Sequence, residues 1–192
     1  QMCIRYRHKW NIEIIKFIIP LAFVGVLIGT FTFSYLTNDH IRMIIGLMAI
    51  IFCLDYYFRK DSDKPKKPSK FASYFWPSLS GFTSFSIHAG GLPLSFYLLP
   101  MRLDRTMYVA TAGLFYLLIN LFKIFPYAYL GEMNFENIYT SLLLLPLAPL
   151  GVYFGAYLVD KIGQDWFYKI GYFCTLLAGC KLFYDGSVNL FL

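Results

Sequence analysis

The stretch that decides the fold reads Gly81-Phe82-Thr83-Ser84-Phe85-Ser86-Ile87-His88-Ala89-Gly90-Gly91-Leu92-Pro93. It lies inside 31 consecutive residues, from Phe71 to Met101, that contain no Asp, Glu, Lys or Arg. One straight helix of that length would measure about 46 Å, whereas the hydrocarbon core of a bilayer is about 30 Å thick. Two glycines free the backbone from helical angles, and a proline suits the first turn of a new helix. We therefore predict two helical pieces that meet at a polar break at Gly90-Gly91, at mid-membrane depth, the second piece starting at Leu92 or Pro93.

The composition of the whole chain favours a membrane protein. Of its 192 residues, 58% are hydrophobic, 20% are aromatic and 15% are charged, and the mean hydropathy is +0.54. Soluble globular domains do not have this composition. The net charge of +6 does not indicate nucleic acid as a partner, because the positive residues concentrate near the N-terminus and in one loop between apolar runs. That distribution is typical of the cytoplasmic flanks of membrane helices, so the expected environment is the lipid bilayer.

Apolar runs on both sides of the broken stretch predict five further spans: Ile14–Leu36, Ile41–Phe58, Thr106–Lys123, Ile138–Val159 and Trp166–Tyr184. Residues 59–70 contain six positive residues, two negative residues and two prolines, a composition typical of a linker. The chain then divides into residues 1–58 with two transmembrane helices, the basic cytoplasmic linker 59–70, and residues 71–192 with the broken hairpin and three transmembrane helices. The predicted location is the cell membrane, plasma or inner, which the chain crosses several times.

An internal repeat connects the two ends of the chain. The pattern Pro20-Leu21-Ala22-x-x-Gly25-x-x-x-Gly29 returns as Pro146-Leu147-Ala148-x-x-Gly151-x-x-x-Gly155, at an offset of 126 residues. The predicted fold class is therefore an all-α polytopic helical bundle with an internal repeat and a broken or re-entrant helix hairpin. A complete repeat would place an earlier break before Gln1, so we expect the chain to be an N-terminally truncated fragment that does not transport alone.

The positive residues after the linker distinguish two topologies. If the stretch from Phe71 to Met101 doubles back, Arg102, Arg105, Lys161 and Lys169 lie on the cytoplasmic side, with Lys123 and Lys181 outside. If it crosses once, the assignment is reversed. Because positive residues collect on the cytoplasmic side, the count favours the re-entrant hairpin. That topology also makes the two copies of the repeat antiparallel, as inverted repeats require.

In its break, its repeat and its basic linker, the chain resembles the sulfite exporter TauE/SafE family of membrane transporters, and the resemblance covers almost its whole length. The matching residues are Gly81, Ser84, Gly90, Gly91 and Pro93, the region from Ala112 to Asn120 with Lys123 and Tyr127, and Leu145-Pro146-Leu147-Ala148 with Gly151 and Gly155. His88-Ala89 stands where many relatives have a further glycine. The resemblance implies two homologous halves and transport of a small sulfur-containing anion such as sulfite or a sulfonate.

Small and polar residues on the helix before the break form one face. Pro77, Gly81, Ser84 and His88 recur at helical spacing, opposite Phe75, Leu79 and Phe82. Such a face either lines a pathway for an anion or packs its small residues against a neighbouring helix, and the spacing leaves both interpretations open. His88 is a candidate for proton coupling, with a simple hydrogen bond to a neighbour as the alternative.

The helix after the break supplies a second element of the predicted site. Its first amides and the positive end of its dipole favour an anion. Across from it, Asn120 is a candidate hydrogen-bond donor, and Lys123 either attracts the anion or extends to the membrane surface as a span-end lysine. The predicted substrate-binding residues are Gly81, Ser84, His88, Gly90, Gly91, Pro93, Asn120 and Lys123.

No sequence motif supports an enzyme, a metal site or a cofactor. The chain lacks H-E-x-x-H and G-x-S-x-G patterns. Its cysteines, Cys3, Cys53, Cys174 and Cys180, form no C-x-x-C pair and are interpreted as small apolar residues. The function predicted is secondary transport of a small anion. The alternatives are an assembly or structural protein of the membrane and, less favoured, a membrane-embedded enzyme; a coupling proton and a homo-oligomer are left open.

Overall fold

The computed structural model describes residues 6–32, 37–58, 64–130 and 145–191. Seven α-helices lie in these residues: α1 (Ile12–Thr32), α2 (Asn38–Phe58), α3 (Lys70–Ser86), α4 (Gly91–Leu98), α5 (Arg105–Tyr129), α6 (Leu147–Lys161) and α7 (Gln164–Phe191). Short 3-10 turns cover Arg7–Lys9 and Leu99–Met101. The same residues contain no β-strand, and α1, α2 and α5 are long and apolar enough to cross a membrane. The predicted all-α membrane protein is confirmed.

The helix bounds depart most from the predicted spans near the C-terminus. Helix α7 continues to Phe191, past the predicted end at Tyr184. Its polar extension is stabilised locally, because Asp185 accepts a hydrogen bond from Lys181 Nζ, one turn earlier, at 2.7 Å. The following parts of the predictions lie outside the described residues: Cys3, 33–36 of the span Ile14–Leu36, 59–63 of the linker and 138–144 of the span Ile138–Val159.

Polar caps begin three of the helices. The Asn11 side chain accepts a hydrogen bond from Ile14 N at 3.1 Å, and Ser69 Oγ accepts one from Ala72 N at 3.2 Å. Asp104 Oδ1 accepts from the amides of Thr106 and Met107 at the start of α5. These side chains satisfy amides that have no partner within the first helical turn.

Helices α1 and α3 pack through their backbones. A Cβ placed on Gly25 would overlap the Ser78 carbonyl oxygen, and one on Gly81 would overlap the Ala22 carbonyl oxygen. Glycine at both positions therefore permits a contact that any side chain would prevent, as in small-residue interfaces of membrane helices. The two helices run parallel, since Phe17 meets Tyr74 near their starts, with ring centroids 5.4 Å apart.

Helices α2 and α7 form the other large interface and run antiparallel. Gly46 lies against Gly179, and Cys53 Sγ donates to the Tyr172 carbonyl oxygen at 3.4 Å.

Helices α3 and α4 form a hairpin whose two ends meet. Trp76 packs on Phe96 at 5.0 Å between ring centroids, and Lys66 N donates to the Pro100 carbonyl oxygen at 2.8 Å. We call this the linker end of the bundle. Helix α1 starts there, because Asn11 N donates to Thr111 in α5, and α6 ends there, because Arg105 donates to the Ile162 and Asp160 carbonyl oxygens. Helices α1 and α6 consequently run in opposite directions.

Candidate functional site

The break between α3 and α4 spans residues 87–90, and His88 produces its change of direction. His88 has a φ of 55°, in the left-handed region that non-glycine residues seldom occupy. The amides of Ile87 and Ala89 both donate to the Thr83 carbonyl oxygen, at 3.1 and 3.2 Å, which closes the end of α3. Helix α4 begins at Gly91, one residue before the predicted start, and Pro93 lies in its first turn as expected.

Gly90 serves close approach rather than an unusual backbone angle. Gly90 has a φ of −60°, within the ordinary helical region, so the predicted reason for this glycine is wrong. A Cβ on Gly90 would lie 2.6 Å from the Ser80 carbonyl oxygen and 2.6 Å from Ser84 Cβ. Ser80 Oγ also donates to the Gly90 carbonyl oxygen at 2.7 Å, so the break is tied directly to α3. Gly91 has more room, since its nearest neighbour, the Tyr116 hydroxyl, would be 3.4 Å from an added Cβ.

An open groove of about 440 Å³ runs beside the break. It is bounded by the break and the start of α4, by Tyr116 of α5, and by one face of α7 that includes Cys174 and Thr175. His88 and Gly91 of the predicted site line it, and no Asp or Glu is among its described lining residues.

The donors that face the groove are few. Ser95 Oγ donates to the Gly91 carbonyl oxygen and Thr175 Oγ1 donates to the Gly171 carbonyl oxygen, both at 2.8 Å, so these hydroxyl hydrogens are already engaged. The amides of Gly90 and Gly91 donate to no acceptor in the described part of the chain. The Gly91 amide, the His88 ring and the Tyr116 hydroxyl belong to residues that line the groove, and they give it hydrogen-bond donors next to the positive end of the α4 dipole.

Lys123 secures the end of α3 from behind the break. Its ammonium donates to the Ser84 carbonyl oxygen at 2.8 Å and to Ser84 Oγ at 3.2 Å, and the residue is only 5% exposed. The neighbouring Tyr127 hydroxyl donates to the Phe85 carbonyl oxygen at 2.8 Å. A cation suits this position because the C-terminal carbonyls of a helix are unsatisfied and carry the negative end of its dipole.

The remaining predicted residues lie around the break rather than in the groove. Gly81 faces α1, and Pro93 is buried within α4. Ser84 is buried and bound to Lys123, while Asn120 is exposed. The small face of α3 thus packs against α1 at Gly81. His88 lies beyond the end of α3, which is at Ser86.

The sequence interpretation missed Ser95, Cys174 and Thr175. The two α7 residues reach the groove only because α7 packs beside the break, far away in sequence, and no local pattern marks them. Among the described residues, no group of three or more His, Cys, Asp or Glu side chains is placed to hold a metal ion.

The break lies nearer the end opposite the linker than the middle of the bundle. Phe85 packs against Gly29, close to the end of α1 at Thr32. Ile87 borders a second cavity of about 340 Å³ that Arg42 and Asn189 also line. The two cavities share Ile87 and Leu182, so the groove continues toward that end of the bundle.

Comparison with known proteins gives one match. A family model described as "Sulfite exporter TauE/SafE" matches residues 2–182, which is nearly the whole chain. No curated protein and no solved structure matches the chain.

Proposed function

The chain belongs to the sulfite exporter TauE/SafE family, a family of membrane transporters, and we propose that it binds and moves a small sulfur oxyanion through the groove at the α3–α4 break. Sulfite or a sulfonate is the substrate class. The cell membrane is the expected location, and the re-entrant hairpin is the expected topology.

The observation that carries this proposal is the chemistry of the groove. The unengaged Gly91 amide, the His88 ring and the Tyr116 hydroxyl offer donors to a space whose described lining residues include no carboxylate. An oxyanion needs several donors at once, and backbone amides at a helix start provide them without a mobile charged side chain. The Lys123 ammonium behind the break adds a positive potential, which water screens little because the residue is buried.

The hairpin geometry supports one arrangement in the membrane. Lys66 in the linker and Pro100 after α4 are hydrogen bonded, so both ends of the hairpin belong at the same surface. Arg102 and Arg105 follow immediately, and Lys161 ends α6 at that same end. Collecting these positive residues with the linker on the cytoplasmic side agrees with the positive-inside rule. Cysteines substituted for Lys66, Leu103 and Ile162 should all label from the cytoplasm; labelling of 103 and 162 from outside would exclude the re-entrant arrangement.

Binding is tested most directly by thermal stabilisation of the purified protein. Sulfite and methanesulfonate should raise the unfolding midpoint, since a ligand at about 100 times its Kd contributes about 2.7 kcal/mol. Chloride at equal ionic strength should not. If no oxyanion stabilises the protein, the groove is not a binding site in this chain.

Gly91→Val tests the position of the site. The β-branched side chain would project toward Tyr116 and occupy the groove, so stabilisation by sulfite should be lost although the protein folds. Gly151→Val is the matched control, because a Cβ on Gly151 meets nothing within 4 Å. Normal stabilisation of a folded Gly91→Val protein by sulfite would place the substrate elsewhere.

His88→Gln tests coupling to a proton. Glutamine keeps a donor but does not titrate near neutral pH. If His88 carries the proton, the pH dependence of the stabilisation of the purified protein by sulfite should flatten in this variant. An unchanged pH profile would remove His88 from coupling and leave the amide site intact.

A further inference from the structure

A small cavity at the linker end is separate from the groove. It measures about 100 Å³ and lies where the end of α2, the linker, the turn after α4 and the first half of α7 converge. Its walls are Phe52, Asp55, Tyr56, Lys64, Lys66, Pro100 and Tyr172. Nothing in the proposed transport path uses this space.

The inner wall of the cavity is rigid and backed by a cation. The Tyr56 and Tyr172 rings stack with centroids 3.6 Å apart and planes inclined by 5°. Arg102 Nη2 donates to the Tyr56 hydroxyl at 3.1 Å, and the Arg102 side chain is 7% exposed. Its carboxylate partner, Asp165 at 3.4 Å, is 83% exposed and therefore well hydrated. The guanidinium thus adds positive potential from behind the aromatic wall.

The outer wall of the cavity carries a fixed lysine. The backbone hydrogen bond from Lys66 to Pro100 holds Lys66 at the rim. In the described part of the chain no carboxylate lies within ion-pair distance of the Lys66 ammonium. Lys64 and Asp55 also line the cavity, so its wall carries two positive charges and one negative charge.

Exposed aromatic residues mark the depth of the cavity in the membrane. Tyr57 and Phe58 at the end of α2, and Phe71 and Tyr74 at the start of α3, are all exposed. Aromatic residues collect at the level of the lipid headgroups. Basic pockets between helices at the cytoplasmic surface are suited to the phosphate of anionic lipids. We propose that this cavity binds the phosphate of an anionic phospholipid headgroup, with Lys66 as the principal contact.

The test compares two neighbouring lysines. The purified chain is titrated with phosphatidylglycerol in mixed micelles, with phosphatidylcholine as the neutral reference, and bound lipid is followed by native mass spectrometry and by the unfolding midpoint. Lys66→Gln should weaken phosphatidylglycerol binding about fivefold, the factor expected for one lysine near a charged surface. Lys67→Gln removes the same charge from an exposed position that does not line the cavity and should have little effect. Lys66→Arg should restore binding.

Three results would overturn the proposal. Equal losses in the Lys66→Gln and Lys67→Gln proteins would show diffuse attraction to a basic linker instead of a site. Saturating stabilisation by inorganic phosphate, matching that of the lipid, would assign the cavity to a free anion. Equal binding of phosphatidylglycerol and phosphatidylcholine would exclude recognition of the charged headgroup. None of these readouts depends on sulfite transport.

Discussion

Helices α1 and α6 carry the same motif in opposite surroundings. In α1 the buried residues are Ile14, Ile15, Ile18, Ala22, Gly25, Val26 and Gly29, and Gly25 touches the backbone of α3. In α6 only Ala156 and Val159 are buried, and a Cβ on Gly151 would meet nothing within 4 Å. Because the two helices share the Pro-Leu-Ala-x-x-Gly-x-x-x-Gly pattern, the pattern alone does not report a local contact. Among the described residues, only the α1 copy of the pattern packs its glycines against the backbone of another helix.

A pair of alanine substitutions, one in α1 and one in α6, tests most directly whether the two glycine faces have different surroundings. Gly25→Ala should destabilise the protein by about 3 kcal/mol or more, because the new methyl group overlaps a backbone carbonyl that cannot rotate away. Gly151→Ala should be neutral or slightly stabilising, since alanine is the better helix former. Unfolding in mixed detergent micelles measures both. Equal effects at the two positions would mean that the α6 face is covered in the folded protein.

Gly90 and Gly91 at the break also differ in how closely their neighbours approach. Gly90→Ala should cost about 1–3 kcal/mol, since its Cβ would press on Ser80 and Ser84. Gly91→Ala should leave stability within about 0.5 kcal/mol, because its Cβ would point to the Tyr116 hydroxyl at 3.4 Å. The measurement compares the loss of unfolding free energy that each of the two substitutions causes. If Gly91→Ala is the more damaging, the groove is more tightly closed than its geometry indicates.

A smaller effect tests how α6 is held. Its polar connections lie at its C-terminal end, where the Tyr6 hydroxyl donates to Asp160 Oδ1 at 2.7 Å and Arg105 donates to the last carbonyls. Tyr6→Phe should cost about 0.5–1.5 kcal/mol, the usual value of one hydrogen bond. Amide exchange should accelerate in α6 and remain unchanged in α1. Acceleration in both helices would show that Tyr6 supports the bundle as a whole.

The smallest predicted effect depends on pH. The Thr106 hydroxyl lowers the pKa of the Asp104 carboxyl below its usual value; partial burial opposes this shift, and the Thr106 and Met107 amides reinforce it. Asp104 therefore stabilises the start of α5, including Arg105, above about pH 4, and that stabilisation disappears as the pH falls through the lowered pKa. Asp104→Asn should cost about 0.3–1 kcal/mol at pH 7 through loss of charge at the helix start. The difference in unfolding midpoint between the variant and the native protein should shrink steadily as the pH falls below about 4 and through the lowered pKa; a pH-independent difference would contradict this assignment.

The helices were predictable from sequence because bilayer thickness and hydropathy fix their number and approximate position. Hydropathy does not predict the end of a helix that polar residues continue. The extension of α7 past Tyr184 depends on the Lys181–Asp185 pair and on Gly186, which lies against Asp39 and Met43 of α2. Hydropathy does not register either contact.

The candidate site was only partly predictable. Charge-free length required a break, and Gly90-Gly91 located it to within a few residues. The residue that bends the chain is His88, whose left-handed angle has no signal in the sequence. The hydrogen bond of Lys123 and the α7 wall of the groove were not predictable either, because each is a tertiary contact between residues far apart along the chain.

The Lys66–Pro100 hydrogen bond has a consequence for biosynthesis. In the proposed re-entrant topology, both ends of the hairpin lie at one membrane surface, so neither Lys70 nor Arg102 would have to pass through the hydrocarbon during insertion. The cost of a charged residue at the membrane centre, about 2.5–3.5 kcal/mol on insertion scales, would then be avoided at both ends. The α3–α4 unit would enter the bilayer as a preformed loop.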